Sequence, residues 1–591
     1  MLLEIGELKS LQITLSKINI ESECGTEIAK LKDFKNLYEK ISVVGLEKVQ
    51  NAIYAHEANF SQKKLSELEL VWSDELHDSR NELLEKAVLN ELMPCPDKLI
   101  QLEIKSYGGL EFPNWVADPS FLHLKHVSIS GCKRCTSLPP LAQLPSLKEL
   151  FIIGLLEVVG FDLFGTGHAF PSLEILSFRD MFGWKKWSGV VFPRLQTLEI
   201  IGCPNLVEVT LEALPSLNVL TLTTCDSGVL RSLVEVASAV TKLNIDNISG
   251  LNDVVWGGVI EYLGAVEELR IEYCNEIRYL VKSDAAASNL LTSLRKLRVS
   301  CCRKMERCSC PDGIEELIVW DCSSMTVVSF PKGGQEKLRS LTIFNCWKLI
   351  ERGWGGQKTN NNRSSMPMLE QVYINDWPNL KSMIELNCLV HLTELIIEDC
   401  ENLESFPDTL TSLKILKITN CPKLDVCFLP GWVWPPTLQF LIIGKLKKPF
   451  SEWGPQSFPT TLVELELYGG GEDGARSCSE FSHLLPSSLT SLKITAFKNL
   501  ESVSMGLQHL QSLSFFNCPN LKKVSSHPQH LTSLHHLSFA YCPKMMDLPE
   551  MLLPSLLRLN IFYNCPEGLK ERCCKNGSYW PLISHIPCID I

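Results

Sequence analysis

The sequence predicts an α/β solenoid, a curved horseshoe with a parallel sheet on its concave face and a mostly irregular or short helical convex side. Two observations predict it. A nine-residue frame, Leu-x-x-Leu-x-Ile-x-x-Cys, recurs some twenty times at intervals of about two dozen residues. The recurrence also runs from end to end of the 591 residues, so length does not translate into several globular domains.

The frame reads Leu195, Leu198, Ile200, Cys203, then Leu217, Leu220, Leu222, Cys225, then Leu294, Leu297, Val299, Cys302. It returns at Leu338, Leu341, Ile343, Cys346, at Leu392, Leu395, Ile397, Cys400, and at Leu534, Leu537, Phe539, Cys542. This is the pattern of leucine-rich repeats, each too small to bury its own apolar edge, so successive units must stack. Positions one, four and six face between layers, whereas three, five, seven and eight are expected to project from the inner face and vary freely. Position nine turns the chain away from the sheet and needs a small group that reaches a backbone carbonyl, a role open to Asn or Cys.

Frames begin at Leu8, Leu65, Leu99, Leu124, Leu147, Leu173, Leu195, Leu217, Val240, Val266, Leu294, Ile314, Leu338, Leu369, Leu392, Leu413, Leu438, Leu462, Leu489, Leu510, Leu534 and Leu556. A degenerate one falls near Leu37 to Val43. About 22 irregular repeats therefore fill residues 1–564, and residues 565–591 are expected to cap them. Helical spacing marks Val49 to Lys63, and Ser79 is placed to cap a helix presenting Leu83, Leu84, Ala87 and Val88. The Gly- and Asn-rich stretch Arg352 to Ser365, and Gly469 to Ser477, have the composition of surface loops. A frame starts by Leu8 with nothing before it, which predicts a chain cut from something longer.

Of the 24 cysteines, at least ten occupy position nine: Cys132, Cys203, Cys225, Cys274, Cys302, Cys322, Cys346, Cys400, Cys421 and Cys518. They are expected to be reduced and buried, and with no basic-plus-apolar leader at the start this predicts a cytoplasmic location. The sequons at Asn59, Asn247, Asn362 and Asn576 would matter only outside the cytosol. The uncharged run Val426 to Gly444 carries Pro430, Pro435 and Pro436 and ends in a repeat frame, so a loop followed by a strand is expected rather than a membrane span. A formal net charge of −12 argues against nucleic acid and for a protein partner.

No phosphate loop, zinc spacing or Ser-His-Asp arrangement is legible, and Cys132-Lys-Arg-Cys135 is a lone pair with one member already in the ladder. No enzyme activity and no cofactor are expected. The chemistry left is recognition on the inner face, where the frame projects Glu268, Arg270, Glu272 and Tyr273, then Lys296 and Arg298, Ile318 and Trp320, Tyr373, and Glu394 and Glu398. Exposed rings among charges are what a protein-binding face uses as anchors and rim.

Three blocks, Phe112 to Phe121, Leu138 to Leu147, and Phe170 to Phe178 with Trp184 and Trp187, resemble plant coiled-coil nucleotide-binding leucine-rich-repeat (NB-LRR) disease-resistance proteins. The opening Gly6 to Ala58 and the closing Cys565-Pro-Glu-Gly-Leu with Trp580 to Ile591 look like the two ends of that family's repeat region. The resemblance implies an innate-immunity recognition module that binds a pathogen effector or a monitored host protein and, in a full receptor, restrains a nucleotide-binding switch domain acting in cis or in trans. Nucleotide hydrolysis is not implied, because the switch domain is absent from these residues. The alternative is a free-standing repeat adaptor or decoy, for example for substrate recognition by a ubiquitin ligase.

Overall fold

The computed structural model describes residues 17–34, 39–75, 80–158, 170–331, 336–350, 367–383, 389–407, 410–425, 434–453, 458–470, 475–525, 531 and 533–591. The chain divides into two compact units, one of residues Met1–Arg278 and Asn289–Leu294, the other of Tyr279–Ser288 and Arg295–Ile591. Each frame from Leu65 to Leu556 produces a strand that starts two residues after its first leucine, for example Thr197–Ile201, Glu316–Trp320 and Ser512–Phe516. The frame at Leu8 lies outside the described residues. The first described strand, Lys17–Asn19, instead belongs to an unpredicted frame in which Ile18 and Ile20 are buried. Lys40–Val44 follows from the degenerate frame near Leu37 to Val43.

In both units the strands pair in parallel and in register, so that like positions of successive repeats stand side by side. Val219 faces Thr197 and Lys242, and Trp320 faces Ser300 and Phe344. Alternation does the rest: Leu198, Ile200 and Cys203 are 0% exposed while Thr197 and Glu199 are only half-buried. The core is a stack of such layers, and truncating one buried leucine to alanine in a packed layer costs about 2–5 kcal/mol.

The cysteines occupy the predicted slot. All ten are buried and unbridged, and the thiols of Cys225, Cys302 and Cys346 donate to the carbonyl two residues back at 3.3–3.4 Å. Burial favours the protonated thiol at Cys225 and Cys274, pushing both up to about 11. Cys132 and Cys135 are both buried, and Cys135 Sγ donates to the Gly109 carbonyl at 3.0 Å. No cluster of metal-ligating side chains occurs among the described residues.

Position eight departs from expectation. It varies, as Ser106, Thr224, Tyr273, Cys301, Lys445 and Ala496 show, but within a constraint, because the backbone there turns left-handed: φ is 52° at Asp321, 54° at Asn345, 51° at Asp376, 54° at Asp399 and 56° at Asn420. Asp, Asn and Gly tolerate that conformation, which explains their abundance just before the buried ninth residue.

The convex side is also partly different from expectation. In the first unit the helix Ala52–Glu57 falls in the predicted stretch, capped by Asn51. The next helix, Glu82–Glu91, is capped by Asn81, whose side chain accepts from the Leu83 and Leu84 amides; Ser79 lies outside the described residues. Its buried face is Glu85, Val88 and Leu89, leaving Leu83 74% exposed. The cause is electrostatic. Arg80 clamps Glu85 with two 2.7 Å bonds and also reaches the Ser73 and Ser106 carbonyls, while Glu85 accepts from the Gly108 amide, so the ion pair turns inward and the predicted leucines turn out. The helices Ser227–Val236 and Asp253–Val259, capped by Asp226 and Asn252, were not predicted.

In the second unit the stretch Arg352 to Ser365 lies outside the described residues, as do 426–433. Phe440–Leu446 is the expected strand after the uncharged run. At the inserted segment, Ser477 and Glu480 form a reciprocal cap on Cys478–Glu480. The closing segment folds as Glu567–Cys573, Trp580–Ile583 and the strand Cys588–Asp590, which pairs with Arg558–Phe562. No helix among the described residues is long and apolar enough to cross a membrane.

Candidate protein-binding face

In-register stacking turns each projecting position into a column across the sheet. In the second unit, position seven carries Ser300, Trp320, Phe344, Asn375, Glu398 and Thr419 in successive strands. Trp320 and Phe344 lie face to face, ring centroids 3.9 Å apart and planes within 12°, and Tyr373 at position five continues the stack 6.2 Å from Phe344. Trp320 is 37% exposed although it stands in a strand. Three rings are thus held by backbone pairing in an orientation that water can reach.

An acidic edge borders them. The Tyr373 hydroxyl donates to Glu398 Oε2 at 3.3 Å, and Glu398 also accepts from Lys417 at 2.7 Å and from the Thr419 hydroxyl at 3.3 Å. Partial burial, then the Glu398 charge, push the Tyr373 hydroxyl up to about 12, so it stays a donor. Asp399 accepts amide protons from Asn375 and Asn420, and Asp376 accepts from the indole of Trp347, which is 52% exposed. The carboxylates are therefore fixed by neighbours rather than swinging free, which lowers the entropy lost when a partner arrives.

Of the eleven predicted face residues, Glu268, Arg270, Glu272 and Tyr273 stand in the first unit. There Glu268 pairs with Lys242 at 3.1 Å and Arg270 with Glu272 at 2.9 Å, and Tyr273 is 51% exposed in the left-handed conformation. The other seven stand in the second unit. Lys296 approaches Glu316 at 4.0 Å, Arg298 donates to the Ser300 hydroxyl, and Glu394 accepts from Gln371. Ile318 is half-buried. Only Trp320, Tyr373 and Glu398 are drawn into one constellation, and the residue that joins them, Phe344, was not predicted although it fills position seven of the frame at Leu338.

A second group escaped prediction altogether. Phe516, Tyr541 and Tyr563, 40%, 40% and 68% exposed, line up with centroids 5.3 and 5.7 Å apart, and the Lys493 ammonium lies 5.8 Å from the Phe516 ring. Their signal was present, since Phe516 and Tyr541 are positions seven and eight of their frames.

Repeat frame, parallel sheet and projecting columns define the class: this is a leucine-rich-repeat protein. Residues 28–155 match the family model of R13L1/DRL21 leucine-rich repeats. The disease resistance RPP13-like protein 1 of Arabidopsis thaliana is 32% identical over 333 residues, covering 47% of this chain and 31% of that protein. The disease resistance protein RGA4 of Solanum bulbocastanum is 36% identical over 227 residues, covering 36% of this chain and 22% of that protein. The repeats are similar to those of these plant disease-resistance proteins, and the matches span less than a third of these relatives' length.

Proposed function

We propose that this chain is a non-catalytic recognition module of plant defence that docks a protein on the inner face of its second unit. The Trp320–Phe344–Tyr373 stack, with Trp320 exposed and the other two rings half-buried, carries this reading. Large rings already fixed in place supply apolar contact area at small entropic cost, and the surrounding fixed charges select among partners. In a full receptor the partner is a pathogen effector or a monitored host protein, the location is cytoplasmic, and the same repeats restrain a nucleotide-binding switch. A partner with higher affinity for one arrangement then shifts the receptor toward it.

The test is a two-hybrid screen of pathogen effectors against the chain, repeated with Trp320→Ala and Tyr373→Ala. Partners lost with both variants, whose melting temperatures stay close to that of the parent, support the reading. Partners bound equally by both variants place recognition elsewhere. An immunoblot of source tissue with an antibody to the C-terminal tail separates the receptor from the free-standing adaptor: a band far above 66.5 kDa favours the former and a band at that mass the latter.

A further inference from the structure

The longest strands of the second unit, Ile415–Cys421 and Phe440–Leu446, run on past the usual five residues, and Cys421 pairs with Leu446. Beyond them the chain swings out through Pro449 and the short helix Phe450–Glu452, leaving a cavity of about 670 Å³ at the sheet's rim. Its floor follows position eight through five repeats: Asn420, Lys445, Gly469, Ala496 and Asn517. Packing there is close, since a Cβ on Gly469 would meet the Ala496 carbonyl at 2.7 Å.

Four lysines line this cavity, Lys445, Lys447, Lys448 and Lys498, against one carboxylate, Glu452. Lys448 is matched by Asp425 at 3.5 Å, whereas Lys445, Lys447 and Lys498 make no ion pair among the described residues. A concentration of cations runs against the formal net charge of −12. Lys445 stands at position eight in the left-handed conformation, φ 52°, as do the neighbouring floor residues Asn420, Ala496 and Asn517.

We propose that this rim pocket binds a small phosphate-bearing polyanion, gripped by the ammonium groups of Lys445, Lys447 and Lys498. The volume exceeds what a single phosphate needs and suits a ligand with several, and clustered ammoniums bind phosphate oxygens as point charges. The site is separate from the aromatic stack, so it stands or falls independently of protein docking there.

Sodium tripolyphosphate is the probe, titrated calorimetrically into the full chain at about 0.05 and about 0.15 M salt. Binding tighter than about 1 mM is expected at the lower salt, weakening at the higher. The combined Lys445→Gln, Lys447→Gln and Lys498→Gln variant is expected to bind at least tenfold more weakly, and Lys498→Gln alone measurably so. A control that removes equal charge from the exposed Lys30, Lys98 and Lys125 is expected to bind as the parent does. Citrate, which offers carboxylates instead, is expected to bind at least tenfold more weakly than tripolyphosphate. The proposal is overturned by absence of heat with the parent chain at about 1 mM, by equal binding of the pocket variant, by equal loss in the control, or by equal affinity for citrate.

Discussion

The two units differ in what their projecting columns carry. In the first, Phe178, Trp184, Trp187 and Phe192 are at most 1% exposed and pack with centroids 4.6 to 5.8 Å apart, beneath the sheet. The projecting columns of that unit are given over to charges paired across strands: Lys40 with Glu67 at 3.1 Å, Lys105 with Glu69 and Glu103 at 2.5 and 2.7 Å, Arg179 with Glu199 at 2.7 Å. In the second unit rings stand on the sheet in the open, at Trp320, Phe344 and Tyr373 and again at Phe516, Tyr541 and Tyr563. Both units bury rings for cohesion, Trp377, Phe450 and Phe497 doing so in the second, but among the described residues only in the second do rows of three rings also line up on the projecting face of the sheet. A repeat protein can divide labour in this way because each layer depends only on its neighbours.

The largest expected effect separates the two uses directly. Trp184→Ala empties a packed layer and is expected to lower stability by about 3–5 kcal/mol while leaving partner binding by the second unit intact. Trp320→Ala removes a ring already partly in water, so it is expected to cost about 1 kcal/mol or less of stability but about 2 kcal/mol or more of partner affinity. Denaturant melts and partner titrations on both variants decide: equal stability losses would erase the contrast.

Alkaline pH offers a second way to probe it, because the cysteine ladder is denser in the second unit. Cys225 and Cys274 rise from 9.0 to about 11 on burial, so the native state holds protons that the unfolded chain releases. A raised pKa contributes stability that is complete below pH 9 and is lost as pH rises toward 11. In the second unit Cys322, Cys346, Cys400, Cys478 and Cys542 are likewise raised, Cys400 and Cys542 by a neighbouring thiol and then by burial, the others by burial. That unit is expected to lose protection first when hydrogen exchange is compared at pH 7 and pH 10. Uniform loss across both units would mean that the thiols do not set the alkaline limit.

Much of this was legible in sequence and some was not, for reasons that follow from the repeat. Strand placement is a matter of apolar period, so all frames from Leu65 to Leu556 can be read with no knowledge of packing. Helix rotation is not: the face of Glu82–Glu91 was set by the buried Arg80–Glu85 pair, which a hydrophobic period cannot see. Tyr273 and Trp320 were both readable as projecting, yet nothing in the linear pattern tells that one sits at a left-handed turn while the other stacks on Phe344. That distinction needs the register between strands.

Position eight gives a third prediction. Asp399→Val places a β-branched residue at φ 54° and strips the amides of Asn375 and Asn420 of their acceptor, with an expected cost of about 1–3 kcal/mol by thermal denaturation. Tyr273→Asn, at φ 51° in the first unit, is expected to go the other way and stabilise by a few tenths to about 1 kcal/mol. A destabilised Tyr273→Asn would show that the tyrosine ring contributes more to cohesion than its 51% exposure suggests.

The smallest effect belongs to the paired charges that distinguish the first unit's face. Lys242 and Glu268 sit opposite one another on neighbouring strands, 3.1 Å apart, with side chains 47% and 38% exposed. Water screens such a pair and ordering two long side chains opposes it, so a double-mutant cycle with Lys242→Met and Glu268→Gln is expected to return a coupling below about 1 kcal/mol, smaller still in high salt. If that holds, the pair does little for cohesion and its consequence is negative: it satisfies its own charge at position three and denies a partner the unsatisfied charge it would need. A coupling well above that figure would mean that the first unit's face is a structural device, and the division of labour between the units would be sharper than the ring positions alone imply.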